Sequence, residues 1–202
     1  MKTLKTLLTS ALTVILLSAT AFASTAADKV VDVTATAANP EIKKLIVTGN
    51  VNVLLVQSKT EWVSMEEDQM DKVTLKQIGH TLQISSQETQ PVTVTVYVND
   101  IYRIDASNTA CVKTVGNFKL KYLQLLLRDN ATARVRANTE SLYTMLDGKA
   151  KLELVGSTGN HILKSGDMAI LNTEKFAALL TNEMTPDADV AMNKESAKLR
   201  NK

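Results

Sequence analysis

Residues 147 to 160 read DGKAKLELVGSTGN, and the way this stretch folds decides how its neighbours fold. Ala150, Leu152 and Leu154 alternate with Lys149, Lys151 and Glu153. In an extended chain a period of two puts the apolar set on one side and the charged set on the other. Asp147-Gly148 opens the stretch with a turn dipeptide, and Gly156 is expected to end the strand. A strand with one apolar face must be covered by a neighbour.

Such neighbours are written into the same half of the chain. A small-x-aliphatic unit recurs as Ala110-Cys-Val112, Ala133-Arg-Val135, Ala150-Lys-Leu152 and Ala169-Ile-Leu171, at spacings of 23, 17 and 19 residues. Between the units lie Leu123 to Leu127, Leu142 to Leu146 and Phe176 to Leu179. Polar turns accompany them at Asp105 to Asn108, Arg128 to Asn130, Asp147-Gly148 and Ser165 to Asp167. Self-similarity near twenty residues marks a solenoid, whose coils bury their apolar faces only by stacking, at about 4.8 Å per layer. A propeller would need a period of ~40 residues or more. The spacing therefore predicts a β-helix.

Period two also governs the first half. Ile42 to Val47 and Val51 to Val56 flank Thr48-Gly49-Asn50, which reads as a hairpin turn. Val73 to Leu75, Leu82 to Ile84 and the alternating Val92 to Val98 read as further half-buried strands. The fold class is all-β, a parallel β-helix body with hairpin strands at its N-terminal end.

Several of these segments carry a family likeness. Leu45 to Gln57, Gly79 to Ile84, Val92 to Val98 leading to Ile101 to Ala106, and the serial polar turns with Ala strands resemble the head GIN domain family. This is the "putative auto-transporter adhesin" family of Bacteroidetes-type bacteria, and the likeness covers roughly Glu41 to Glu183. It implies an exported, right-handed β-helix-like fold with no established enzymatic activity and no catalytic residues to transfer. The chain departs from the family in its turns. Asp129-Asn130 and Asp147-Gly148 stand where many members carry Gly-Ser-Gly, and Ser157-Thr-Gly159 is the nearest counterpart.

The termini set expectations about compartment. Lys2 and Lys5, the apolar run Leu7 to Leu17 and Ala21-Phe22-Ala23 have the layout of a signal peptide over residues 1–23. The run is shorter than the ~20 residues a spanning helix needs. Residues 24–40 read as a linker, 41–183 as the β-helix-like domain and 184–202 as a polar tail. With Lys2 and Lys5 removed, the other 21 Lys and Arg balance 21 Asp and Glu. Neutrality argues against nucleic acid as partner, since phosphate neutralisation supplies most non-specific affinity there, and it predicts binding only weakly sensitive to salt. No stable membrane insertion is expected. Cys111 is the only cysteine, so no intramolecular disulfide forms, and it reads as a small strand residue.

The chemical candidates are sparse. His80 and His161, the only histidines, each adjoin a turn residue and read as solvated turn side chains. Glu66-Glu67-Asp68 with Asp71 has no EF-hand spacing and reads as a charged surface loop. Asp129, Asp147 and Asp167 lack the glycine-rich nine-residue repeat of calcium β-rolls and read as turn caps. Arg128 and Asp129, Arg134 and Arg136, and Lys149 and Lys151 are candidates for neighbours on successive coils, as a polysaccharide lyase or hydrolase would need. Asn130-Ala-Thr132 is a formal glycosylation sequon. Tyr97, Tyr102, Tyr122 and Tyr143 fall on separate strands and read as packing residues whose hydroxyls reach water. No catalytic, cofactor or metal site is expected. The function expected is an exported, non-catalytic envelope or surface module, periplasmic or cell-surface, binding a polysaccharide or protein. The alternatives are a β-helix carbohydrate-active enzyme and a structural periplasmic protein.

Overall fold

A computed structural model describes residues 30–33 and 41–184; the expected signal peptide and the tail from 185 onward lie outside the described residues. The described chain is all-β, a curled open sheet of thirteen strands with one short 3-10 helix, Glu67–Lys72. The strands are β1 (Val30–Val33), β2 (Lys44–Gly49), β3 (Val51–Gln57), β4 (Trp62–Glu66), β5 (Thr74–Ile78), β6 (Thr81–Ser86) and β7 (Val92–Val98). They continue as β8 (Arg103–Ser107), β9 (Cys111–Val115), β10 (Phe118–Leu127), β11 (Thr132–Leu146), β12 (Lys151–Ser165) and β13 (Ile170–Met184). Part of the expected linker is thus strand β1, which pairs antiparallel with β4.

Most ladders are parallel and join strands distant in sequence. One series runs β6, β2, β8, β10 and then the second halves of β11, β12 and β13. The other runs β7, β3, β9 and then the first halves of β11, β12 and β13. Val94, Val53, Val112, Ala133, Leu152 and Leu171 therefore stack through the second series on its inner side. Leu82, Leu45, Ile104, Leu125, Thr144 and Leu163 do so through the first. Most of these side chains are buried, and all but Thr144 and Leu163 belong to or pack against one continuous core. The inner residues turn polar toward the C-terminal end: Leu123 and Leu142 are followed in register by His161 and Thr181.

The opening stretch folds as its alternation requires. Ala150, Leu152 and Leu154 are buried, while Lys149 and Lys151 are exposed. The strand does not end at Gly156, however. β12 runs on to Ser165, and Gly156 is a bend within it at φ +117°. A side chain there would run into the backbone oxygen of Ala137 on the next strand and lie 2.9 Å from its carbonyl carbon.

The expected repeat register shifts by one pair of residues. Ala110, Ala131, Ala150 and Ala169 are the equivalent corners, because Thr132 N donates to Ala110 O, Lys151 N to Ala131 O and Ile170 N to Ala150 O. The second unit is thus Ala131-Thr-Ala133, and the uneven 23 and 17 of the sequence reading become 21 and 19. Thr48-Gly49-Asn50 is likewise not a hairpin. β2 and β3 pair with other strands on each side, and Gly49, at φ +87°, turns a corner between the two series. Antiparallel pairing falls elsewhere, between β5 and β6 across Gly79-His80 and between β4 and both β1 and β7. Asp105 to Ser107 is strand, not turn; the turn follows at Asn108, φ +60°.

Candidate binding face

The outward side of the second series gathers the exposed chemistry, because the alternate positions of every rung must point there. Trp62 and Tyr97 lie opposite each other on β4 and β7, and their rings stack at 3.9 Å and 8°. Tyr97 is opposite Val56, and Val56 is opposite Val115, which is 49% exposed. One position along, Leu54 is opposite Lys113, Lys113 opposite Arg134 and Arg134 opposite Glu153. Arg136, whose backbone N–H is held by Thr114 Oγ1 at 2.8 Å, and Lys151 complete the set. Lys113, Arg134, Arg136 and Lys151 are all exposed, and Glu153 meets Arg134 at 3.4 Å. An aromatic pair and an aliphatic strip thus adjoin a surface with positive excess.

The opposite outward side holds a buried ion cluster. Asp105 on β8 is 5% exposed and takes Arg103 at 3.1 Å and Arg128 at 2.7 Å. Two guanidiniums on one buried carboxylate hold each other in place. Arg128 therefore pairs with Asp105 and not with Asp129. Asp129 caps the preceding corner, accepting from Asn108 N at 2.9 Å, and Asp147 accepts from Gly148 N at 2.8 Å, so both act as turn caps as expected. Asp167 is exposed in its turn.

The remaining candidates are dispersed. His80 sits on the β5–β6 turn with Nδ1 2.8 Å from Glu41 O. His161 is not a solvated turn residue: it is 3% exposed, hydrogen-bonded through Nε2 to Thr144 Oγ1 at 3.0 Å, with its ring edge-on to Phe176. Glu67, Asp68 and Asp71 belong to the 3-10 helix, where Asp68 meets Lys72 at 3.7 Å. Among the described residues no three His, Cys, Asp or Glu side chains are grouped as a metal site. Cys111 is a strand residue as read, half-buried and outward between Asn52 and Thr132. Lys151 is opposite Thr132, not a basic residue of the next rung. Lys113 was not singled out in the sequence; its position two residues past Cys111 gives it away only once the register of β9 is known. Tyr102 and Tyr122 are about half exposed, and Lys121 Nζ lies 5.4 Å from the Tyr122 ring centre.

His161 carries a pH expectation. Burial holds its imidazole below the ordinary 6.5, opposed by the nearby Glu183 carboxylate. As pH falls below about 6.5, the unfolded chain takes up this proton before the folded one does, so stability drops through that window and levels beneath the lowered native value. Above it the group adds no slope. Melting temperature should therefore fall on acidification from pH 7.5 to 5, and His161→Gln, which keeps a partner for Thr144, should flatten part of that fall. An unchanged profile in the variant would assign the slope to other groups.

An all-β domain built from stacked parallel rungs, with a cationic and aromatic outer face, is the class of protein that fold and face define. The chain belongs to the family described as "Putative auto-transporter adhesin, head GIN domain", whose model matches residues 41–182. Its fold is similar to that of a "putative adhesin" from Bacteroides fragilis, with a TM-score of 0.62 at 12% identity over 78% of this chain and 77% of that one. A "putative adhesin" from Parabacteroides merdae (TM-score 0.54, 12% identity, 78% and 77% covered) is also similar. So is a "Putative lipid binding protein" from Parabacteroides distasonis (TM-score 0.54, 8% identity, 78% of each chain). Comparison with curated proteins gives no match. Among the described residues no helix is long and apolar enough to cross a membrane.

Proposed function

We propose that this is an exported, non-catalytic interaction module of the cell envelope or surface, and that it binds an acidic polysaccharide along the outward face of the second strand series. The observation that carries the reading is the exposed Lys113, Arg134, Arg136 and Lys151 set beside the stacked Trp62–Tyr97 pair, with Glu153 pairing Arg134. Membership in a family described by adhesion supports it. In this reading residues 1–23 are removed as a signal peptide, 24–40 link, 41–183 wind as a right-handed parallel β-helix-like solenoid, and 184–202 trail as a polar tail. Neutral overall charge no longer implies salt-insensitive binding, because four exposed cations are gathered on this one face.

Each exposed ionic contact contributes only about 0.2–1 kcal/mol, and a repeating polymer adds them across the face. Reversing Lys113, Arg134 and Arg136 to Glu should weaken binding of a uronic-acid polysaccharide about tenfold or more, measured by cosedimentation at low salt, while leaving the melting temperature within about 2 °C. Raising salt should weaken the unaltered protein in the same direction. Neutral glucan should be unaffected by either, and no reducing ends or unsaturated products should appear from any polymer. Equal binding by the reversed variant would refute this face, and turnover abolished by a single carboxylate substitution would refute the non-catalytic reading.

A further inference from the structure

β13 ends the sheet. Among the described residues it pairs only with β12, so a fifteen-residue strand presents an edge with no partner strand on its other side, although Asn172 Oδ1 accepts from Glu174 N at 3.0 Å. Beside it the end of the core lies open as a cavity of about 330 Å³. Its β13 residues, which mark the inner side of the strand, are Leu171, Thr173, Phe176, Ala178, Thr181 and Glu183. Their spacing is not uniform. A bulge after Glu153 displaces the register on the first arm, and the strand bends where Ala177 and Ala178 lie opposite Ser157 and Thr158 of β12. The result is symmetry about Ala177: Phe176 and Ala178, Thr173 and Thr181, and Leu171 and Glu183 are equidistant from it, as are the outward Asn172 and Asn182.

We propose that β13 pairs antiparallel with β13 of a second copy across a two-fold axis through Ala177, joining two molecules end to end. A two-fold antiparallel pair requires inner residues to face inner residues on both arms, because a slip of one position would reverse every side chain. An arbitrary bulged and bent strand fails that requirement, and this one meets it. The pairing sets Thr173 against Thr181 of the second copy, a favourable cross-strand match, and opposes no like charges: Glu174 meets Leu180, Lys175 meets Leu179 and Glu183 meets Leu171. Leu179 and Leu180, 92% and 56% exposed, are thereby partly covered. A ribbon of roughly 50 Å contour by about 10 Å buries on the order of 500 Å² per copy, near the total of ~1,000 Å² at which specific interfaces begin. The half-polar inner face suits a dimer that assembles reversibly. Glu183, the one charge on it, shares the cavity with His161.

The test is a register-specific cross-link in a Cys111→Ser background. Directly opposed residues of antiparallel strands lie about 4.5–5.5 Å apart between Cα atoms, within disulfide reach. Ala177→Cys should give a covalent dimer under mild oxidation. Lys175→Cys and Leu179→Cys should cross-link when mixed, yet neither with itself, since each lies four residues, or ~13 Å, from its own copy. Light scattering on the unoxidised, unaltered protein should give twice the monomer mass at high concentration and fall toward the monomer on dilution. A monomer at all concentrations with no cross-link, as would follow if residues 185–202 cover the edge, overturns the proposal. Self-cross-linking by Lys175→Cys also overturns it, because that is a different register.

Discussion

Leu152→Asp should unfold the domain, while Lys151→Asp should be nearly silent. The two residues are adjacent in sequence and separated only by the alternation of the strand. Leu152 is 2% exposed, with Ala133 and Leu171 opposite it on the two flanking strands of the inner stack. An aspartate there loses the buried leucine, at about 2–5 kcal/mol, and leaves a carboxyl group without a partner, at several kcal/mol more. Against a total stability of ~5–15 kcal/mol that is most of what holds the fold. Lys151 is exposed between Thr132 and Ile170, where substitutions change stability by about 0.5 kcal/mol or less. Thermal melts followed by circular dichroism decide it. Equal shifts for the two variants would mean that the faces are assigned the wrong way round.

Gly156→Ala should be strongly destabilising. The residue holds φ +117° in the middle of β12, a conformation costly to any L side chain, and the new methyl would press on the Ala137 carbonyl of the adjoining strand. Relief requires β11 and β12 to part along the longest parallel ladder among the described residues. A loss of roughly 2–4 kcal/mol is expected, or about 6–12 °C in melting temperature. Gly79→Ala is the control: φ is also positive, at +54°, but nothing lies within 4 Å of the added carbon. That change should cost only ~1 kcal/mol. Urea midpoints of the two variants separate crowding from backbone conformation, and a Gly79→Ala effect as large as that of Gly156→Ala would remove the crowding from the account.

The alternation of apolar and polar residues made the strands and their inner faces legible without any structure, as Ala150, Leu152 and Leu154 illustrate. Register was harder. Ala131 and Ala133 point to the same side, so a small-x-aliphatic pattern fits either, and only the hydrogen bond from Thr132 to Ala110 chooses. Thr48-Gly49-Asn50 was misread for a related reason: a hairpin and a corner between parallel rungs both need a residue with positive φ, and the pairing that separates them is non-local. His161 reads as a turn side chain because Asn160 beside it is a turn residue; β12 bends at Gly156 yet runs on, and carries His161 inside instead. The binding face was half visible, through Arg134, Arg136 and Lys151. Its aromatic edge was not, since Trp62 and Tyr97 meet only through an antiparallel pairing 35 residues apart.

The order of strands in the sheet bears on how the chain assembles. β2 and β3 come early in the sequence, yet they lie in the middle of their ladders, flanked by β6 and β7 on one side and β8 and β9 on the other. The pairs on the second flank are 59 residues apart, as in Lys44 with Arg103, whereas Thr132 and Lys151 of the later rungs are 19 apart. Closing the longer loop costs only ~1 kcal/mol more than the shorter, but it cannot begin until the later segment exists. A chain delivered N-terminus first therefore holds β2 and β3 with both edges bare until residues 81–98 and then 103–115 arrive. After that, each new rung needs only its immediate predecessor. Assembly changes after Val115 from a wait for distant partners to a local zipper that lengthens as fast as residues appear.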